Sequence, residues 1–209
     1  MNRLFAIALV FLLVTPAFAV QYASYGWENG GTVLTIYAAD AGYAYNVGAP
    51  DPVYSGDASL KCVDNTDPLR ATPDFYFCWI KGLVEGDVVS ATLWRYDTTP
   101  GGSPSGRIWA KYTDVGATDY DNYSGSASGN SDYGPGTGWD QTGHTWTFWS
   151  DSGAHDGLMI SVRTYSNAGD TVWFDDFEVE FPDGCTIEFP EPSSPVEDSS
   201  WAGIKALYR

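Results

Sequence analysis

From about Tyr22 to Phe181 the chain runs in short apolar/polar alternations, separated by clusters of glycine, proline, aspartate and serine. A period of two places successive side chains on opposite faces of an extended strand. The pattern predicts strands at Thr32–Tyr37, Ala58–Val63, Phe75–Lys81, Val88–Tyr96, Arg107–Tyr112, Thr145–Trp149, Leu158–Tyr165 and Thr171–Phe181. Between them lie Gly48–Pro52, residues 97–106 and a long loop from about Val115 to Gly143. No window ahead of the C-terminal tail sustains the 3.6-residue period of a helix. Many short strands with turn punctuation give an all-β class, an antiparallel β-sandwich or barrel.

Alternation also assigns faces. Val89, Ala91 and Leu93 form one apolar set, Ile108 and Ala110 a second, and Leu158, Ile160 and Val162 a third. Opposite them, pointing outward, stand Trp94, Tyr96, Arg107, Trp109, Lys111, Arg163 and Tyr165. Aromatic rings stack on the apolar faces of pyranoses, and planar charged donors fix hydroxyl groups. Trp94, Tyr96, Arg107, Trp109, Arg163 and Tyr165 are therefore candidate carbohydrate-binding residues. The same rings would serve to cover the barrel ends, to pack under the long loop or to face a second sheet. Trp79, Trp146 and Trp149 are assigned to the core.

The ends of the chain carry separate information. Arg3, the apolar run Leu4–Val14 and the small-residue ending at Ala19 describe a signal peptide over residues 1–19, its apolar core too short to span a bilayer. The protein is thus expected to be secreted, extracellular or held at the cell surface. In an oxidising compartment one of its cysteine pairs is expected to bond, and Cys62 with Cys78, both in strands, is favoured over pairings with Cys185. With two histidines and no Cys-x-x-Cys, zinc and redox sites have no basis. A net charge of −17 excludes nucleic acid as a partner and disfavours anionic membranes. Residues 20–182 make the domain and 183–198 a proline-rich linker. Residues 199–209 make a short, helix-prone tail with Trp201, Ile204 and Tyr208 on one face, either docked on its own domain or serving a sorting or attachment partner.

The last strand holds Asp176, Glu178 and Glu180 at two-residue spacing, which resembles the acidic strand of some retaining glycosidases but in a different order. A solvated face of an acidic protein is the simpler reading. The apolar phase slips between Phe174 and Phe177, which predicts a β-bulge at Asp175–Asp176, and a bulged carboxylate suits a hard cation such as calcium. The long loop holds Asp114, Asp119, Asp121 and Asp132 but no Asp-x-Asp-x-Asp-Gly calcium loop. No Gly-x-Ser-x-Gly elbow supports a serine hydrolase.

Four segments then carry a family resemblance. Tyr25–Gly30, Tyr54–Lys61, Trp139–Phe148 and Phe174–Phe177 resemble, in order, motifs of the jelly-roll carbohydrate-binding modules attached to xylanases and glucanases. The resemblance covers nearly all of Tyr22–Phe181. It implies a jelly-roll sandwich and a structural calcium held by Glu28 and Asp175, with Asp57 or a nearby carbonyl. The dense segment from Phe77–Ile80 through Trp94–Asp97 to Ser105–Trp109 matches no glycan-binding site of that family, and no catalytic domain accompanies the module. The expectation is a non-catalytic module binding a polysaccharide or glycan. The alternatives are a structural or adhesin-type surface protein packing with other chains and, behind it, a glycoside hydrolase.

Overall fold

The computed structural model describes residues 19–37, 42–65, 73–98, 105–120, 123–165 and 169–192; of Ser105 and Tyr165 it describes the backbone alone. The expected signal peptide, apart from Ala19, and the tail 199–209 lie outside the described residues. Within them the chain forms twelve strands: β1 (Val20–Tyr25), β2 (Thr35–Tyr37), β3 (Gly42–Val47), β4 (Ser59–Asp64), β5 (Asp74–Lys81), β6 (Val88–Asp97), β7 (Ser105–Asp114), β8 (Tyr123–Gly129), β9 (Gly138–Thr147), β10 (His155–Tyr165), β11 (Thr171–Pro182) and β12 (Thr186–Glu188). One sheet has the order β3-β4-β11-β6-β9, with β1 pairing the far half of β11. The other has the order β12-β5-β10-β7-β8, with β2 pairing β5. All pairings are antiparallel, and the sheets enclose one core, as in a jelly-roll sandwich.

Each expected strand overlaps an observed one, but Thr145–Trp149 meets only the last three residues of β9, and the expected loop Val115–Gly143 instead holds β8 and the first part of β9. The expected inward sets hold: Val89, Ala91, Leu93, Ile108, Ala110, Leu158, Ile160 and Val162 are all buried. Between them aromatic side chains fill the space, with Phe77 meeting Trp27, Phe174 and Phe177 edge to face at 5.1, 5.5 and 5.7 Å. Such pairs are worth about 0.5–1.5 kcal/mol each beyond the area they bury. The bulge is where the phase slip puts it. The β11–β6 register shifts between Asp175 and Glu178, Asp176 has φ 43°, and Phe174 and Phe177 both point into the core.

Three further expectations are corrected. The domain does not end at 182: β12 pairs with β5, Phe189 stacks on Tyr25 at 5.2 Å, and the Tyr25 hydroxyl donates to the Pro190 carbonyl at 3.0 Å. Cys62 and Cys78 are not bonded; all three cysteines are free and buried. Cys62 lies on β4 and Cys78 on β5, in opposed sheets. Sheet faces pack roughly 10 Å apart, beyond the ~7 Å Cα separation a disulfide tolerates. Both thiols behave as apolar core groups, and burial pushes them well above the ordinary thiol range. Trp149 is 50 % exposed, and Trp79, though buried, packs outside the second sheet against Tyr76 and Met159 beneath Leu34, Ala117 and Tyr120. Only Trp146 of the three joins the main core.

Candidate functional site

The expected sugar-binding residues divide between the two outer faces of the sandwich. Trp94 and Tyr96 lie on the first sheet; Arg107, Trp109 and Arg163 lie on the second. The side chain of Tyr165 is outside the described residues.

On the first sheet the rings adjoin one another. The Pro-rich bend before β4 brings Tyr54 flat against Trp94, with centroids 3.9 Å apart and planes 15° apart, and edge-on to Trp139 at 5.5 Å. Tyr96 meets Trp139 at 5.3 Å and Trp173 at 5.8 Å. On β3, Tyr43 and Tyr45 are 49 % and 47 % exposed, and Tyr54 is 41 % exposed. Polar groups are set among the rings: Lys61 Nζ is 3.0 Å from Asp51 and 5.3 Å from the Trp173 ring centre, and Trp173 Nε1 donates to Asp51 at 3.1 Å. The face thus offers rings for stacking beside a carboxylate and an ammonium that can bond hydroxyls. Tyr45 and Trp139 fall outside the expected strands, and only Trp173 was open to the same alternation argument that found Trp94 and Tyr96. Tyr54 was not, because a loop positions it.

The second sheet's outer face is closed on itself. Asp74 is buried between Lys111 at 2.8 Å and Arg163 at 2.7 Å. Lys111 donates to the Tyr76 hydroxyl at 2.7 Å, and burial holds its pKa below the ordinary lysine range. The rings of Tyr37 and Tyr123 lie over its ammonium at 3.7 and 4.5 Å and meet edge to face at 5.4 Å. The Arg163 guanidinium sits 4.2 Å from the Trp109 ring centre, and Arg107 bonds the Asn130 carbonyl and the Tyr133 hydroxyl. These donors, which the sequence assigned to sugar hydroxyls, are spent on protein groups.

The calcium candidates gather on one loop. Asp175, fully buried, accepts the amide N–H groups of Tyr54 and Ser55 at 2.8 and 3.2 Å and that of Asp176 at 2.8 Å. Glu28 accepts those of Asp57 and Ala58. Burial pushes Asp175 up to about 6, and among the described residues no basic side chain pairs with it. Gly56 leaves open the space that its Cβ would otherwise occupy, 2.2 Å from Glu28 Oε1. An unpaired buried carboxylate beside further oxygen donors fits a hard cation. Among the described residues no three His, Cys, Asp or Glu side chains already surround one point, so carbonyl oxygens would have to complete the set.

The acidic row is broken. Asp176 is turned by the bulge to accept the Ser55 hydroxyl at 2.8 Å. Glu178 and Glu180 remain exposed along a shallow cleft of about 220 Å³ with Tyr22 and Ser90. A hydrogen bond to Glu178 raises the Tyr22 pKa.

No family model matches the chain, and no curated protein does. Solved structures do. The CBM22-2 xylan-binding domain from Paenibacillus barcinonensis Xyn10C aligns with a TM-score of 0.50 at 14 % identity, over 75 % of this chain and 97 % of that one. The CBM22-1–CBM22-2 tandem domain of the same protein aligns with a TM-score of 0.52 at 14 % identity, over 88 % of this chain and half of the tandem. At such identities the likeness is one of fold, and the fold is the jelly roll of xylan-binding carbohydrate-binding modules, as the four sequence motifs imply.

Proposed function

We propose that the protein is a non-catalytic carbohydrate-binding module, exported by its signal peptide to act outside the cell or at its surface, that stacks sugar rings on the outer face of the first sheet. The observation that carries this reading is the adjoining outer-face set Tyr54, Trp94, Tyr96 and Trp139, with Asp51 and Lys61 beside them at the buried Trp173 ring. The tail 199–209, outside the described residues, is assigned in this reading to an attachment or sorting partner.

Binding of soluble polysaccharides by affinity electrophoresis tests the reading. Trp94→Ala is expected to lower affinity by about tenfold, the value of one lost stacking platform of ~1.5 kcal/mol, with the fold retained. Trp109→Ala, on the opposite face, is expected to leave affinity unchanged. Equal binding by Trp94→Ala and the parent would move the ligand off this face.

Calcium enters the proposal as a structural ion held by Glu28, Asp175 and Asp57 with loop carbonyls, displacing the amide donors now on the carboxylates. An ion at 100 times its Kd adds roughly 2.7 kcal/mol, so chelation is expected to lower Tm by about 5–10 °C. Asp175→Ala should abolish that response. A melting curve indifferent to chelator leaves the loop pinned by its hydrogen bonds alone.

A further inference from the structure

The loop that carries Tyr54 rests on a carboxylate of the outer face itself. Asp175 is the register partner of Trp94 across β11 and β6, and directly paired residues project to the same side of a sheet. Asp175 therefore belongs with Trp173 to the outward series of β11, while Val172 and Phe174 join the core. It is nonetheless fully buried, because the Tyr54–Ser55 segment lies over it. Oδ2 accepts both amide N–H groups of that segment, at 2.8 and 3.2 Å, and Oδ1 accepts that of Asp176 at 2.8 Å. The rest of the loop is held elsewhere: the Ser59 hydroxyl donates to the Pro52 carbonyl at 2.6 Å, and Glu28 accepts the amides of Asp57 and Ala58. The backbone of Tyr54 is fixed at Asp175.

A buried carboxylate without a basic partner is costly, and what this one secures is local. Two of its three bonds hold one loop, and that loop presents a ring, 41 % exposed, on the proposed sugar face. Resting on the reading that this face binds sugar, we propose that Asp175 is a positioning residue for the site: by fixing the Tyr54 amide it keeps the phenol ring flat on Trp94, so that the two rings form one raised step beside Trp139. Without the acceptor, the loop amides turn to water. The ring is then held only by its contacts with Trp94 and Trp139, for which a stacking sugar competes. Strand pairing places Trp94, and a hydrogen-bonded loop places Tyr54; Asp175 ties the second to the first.

A double-mutant cycle with Tyr54→Ala tests this, run in excess chelator so that no bound ion contributes. Two quantities are read: affinity for soluble xylan and mixed-linkage glucan, and the exposure of Trp94. Exposure is the difference in acrylamide quenching between each protein and its Trp94→Phe counterpart, which isolates one indole of nine. Asp175→Ala and Tyr54→Ala are each expected to lower affinity by about three- to tenfold, one stacking contact, and to raise Trp94 quenching by the same amount. The double variant should bind no more weakly than Tyr54→Ala alone, the mark of two residues acting as one. Asp175→Asn keeps one oxygen for the loop amides and should recover at least half of the lost affinity. If Asp175→Ala does not fold, Ser55→Pro, on an exposed residue, deletes one loop donor and carries the same expectation. Losses that multiply in the double variant, or a Trp94 that stays shielded in a folded Asp175→Ala, would overturn the positioning role. The quenching arm needs no sugar. If Trp94 exposure follows Asp175 while Tyr54→Ala and Trp94→Ala bind as the parent does, the sugar reading of this face falls and the hold of Asp175 on Tyr54 stands.

Discussion

Replacing Arg95 by alanine is expected to destabilise the protein by about 3–5 kcal/mol, the cost of leaving a buried ion network unmatched. Arg95 is one of two charged members of the inward-facing series on β6, with Asp97, and is 1 % exposed. Its guanidinium is fully committed. Nε and Nη2 engage Asp140 at 2.8–3.2 Å, Nη1 donates to the Gly106 and Asp132 carbonyls at 2.7 and 2.8 Å, and Nη2 reaches the Asp132 carboxylate at 2.8 Å. The Asp132 carboxylate is half exposed, so that contact is discounted for solvent screening. The weight falls on Asp140, on the Gly106 carbonyl and on the cradle: a Cβ at Gly134 would lie 2.5 Å from Nη2, so the loop is fitted to the guanidinium itself. At ~2–4 °C per kcal/mol, Tm should fall by roughly 6–20 °C. Arg95→Lys keeps the charge and loses the planar fork, and it should recover less than half of the loss. Asp140 follows Trp139 on β9, so the lysine variant should also weaken glycan binding through Trp139 while remaining folded. A loss under about 1 kcal/mol in Arg95→Ala would show that water can replace the guanidinium.

How far the sequence reveals this molecule depends on whether a feature leaves a local contrast. Strands such as Val88–Asp97 and His155–Tyr165 carry an apolar face against a polar one, and alternation found them. The bulge at Asp175–Asp176 was legible because two phenylalanines on opposite phases must both reach the core. β8, Tyr123–Gly129, offers only glycine, serine and one alanine after its tyrosine, so its pairing with β7 is written in β7 and not in itself. β3 and β12 lie at sheet edges and are equally quiet, although Tyr43 and Tyr45 alternate correctly once β3 is known. The division of the site was illegible for a different reason. Alternation says whether a side chain faces its own sheet's interior, not which sheet that is, and so Trp94 and Trp109 were grouped although they point in opposite directions. Nor does any local pattern announce that Tyr37 and Tyr123, 86 positions apart, close over Lys111.

That closure sets the other large effect. Asp74→Ala is expected to cost about 3–5 kcal/mol, because it strands Lys111, 3 % exposed, without a counter-ion. The tyrosine rings around the ammonium and the Tyr76 hydroxyl would remain, but cation–π contacts of about 0.5–2 kcal/mol do not replace a carboxylate at 2.8 Å. Arg163, with 23 % of its side chain exposed, can turn toward water and suffers less. Adding Lys111→Met removes the stranded charge and fills the space between the rings, so the double variant should be more stable than Asp74→Ala alone, with a coupling energy of about 1–3 kcal/mol. Additive losses in denaturant melts would mean that Asp74 acts through Arg163 and not through Lys111. The same pair separates the two faces functionally. With the proposed sugar-binding rings on the first sheet and this cluster on the second, the double variant should bind polysaccharides with the parent's affinity. A drop in affinity in the folded double variant would place the ligand on the second sheet and return Arg107, Trp109 and Arg163 to the binding role that their outward alternation suggested.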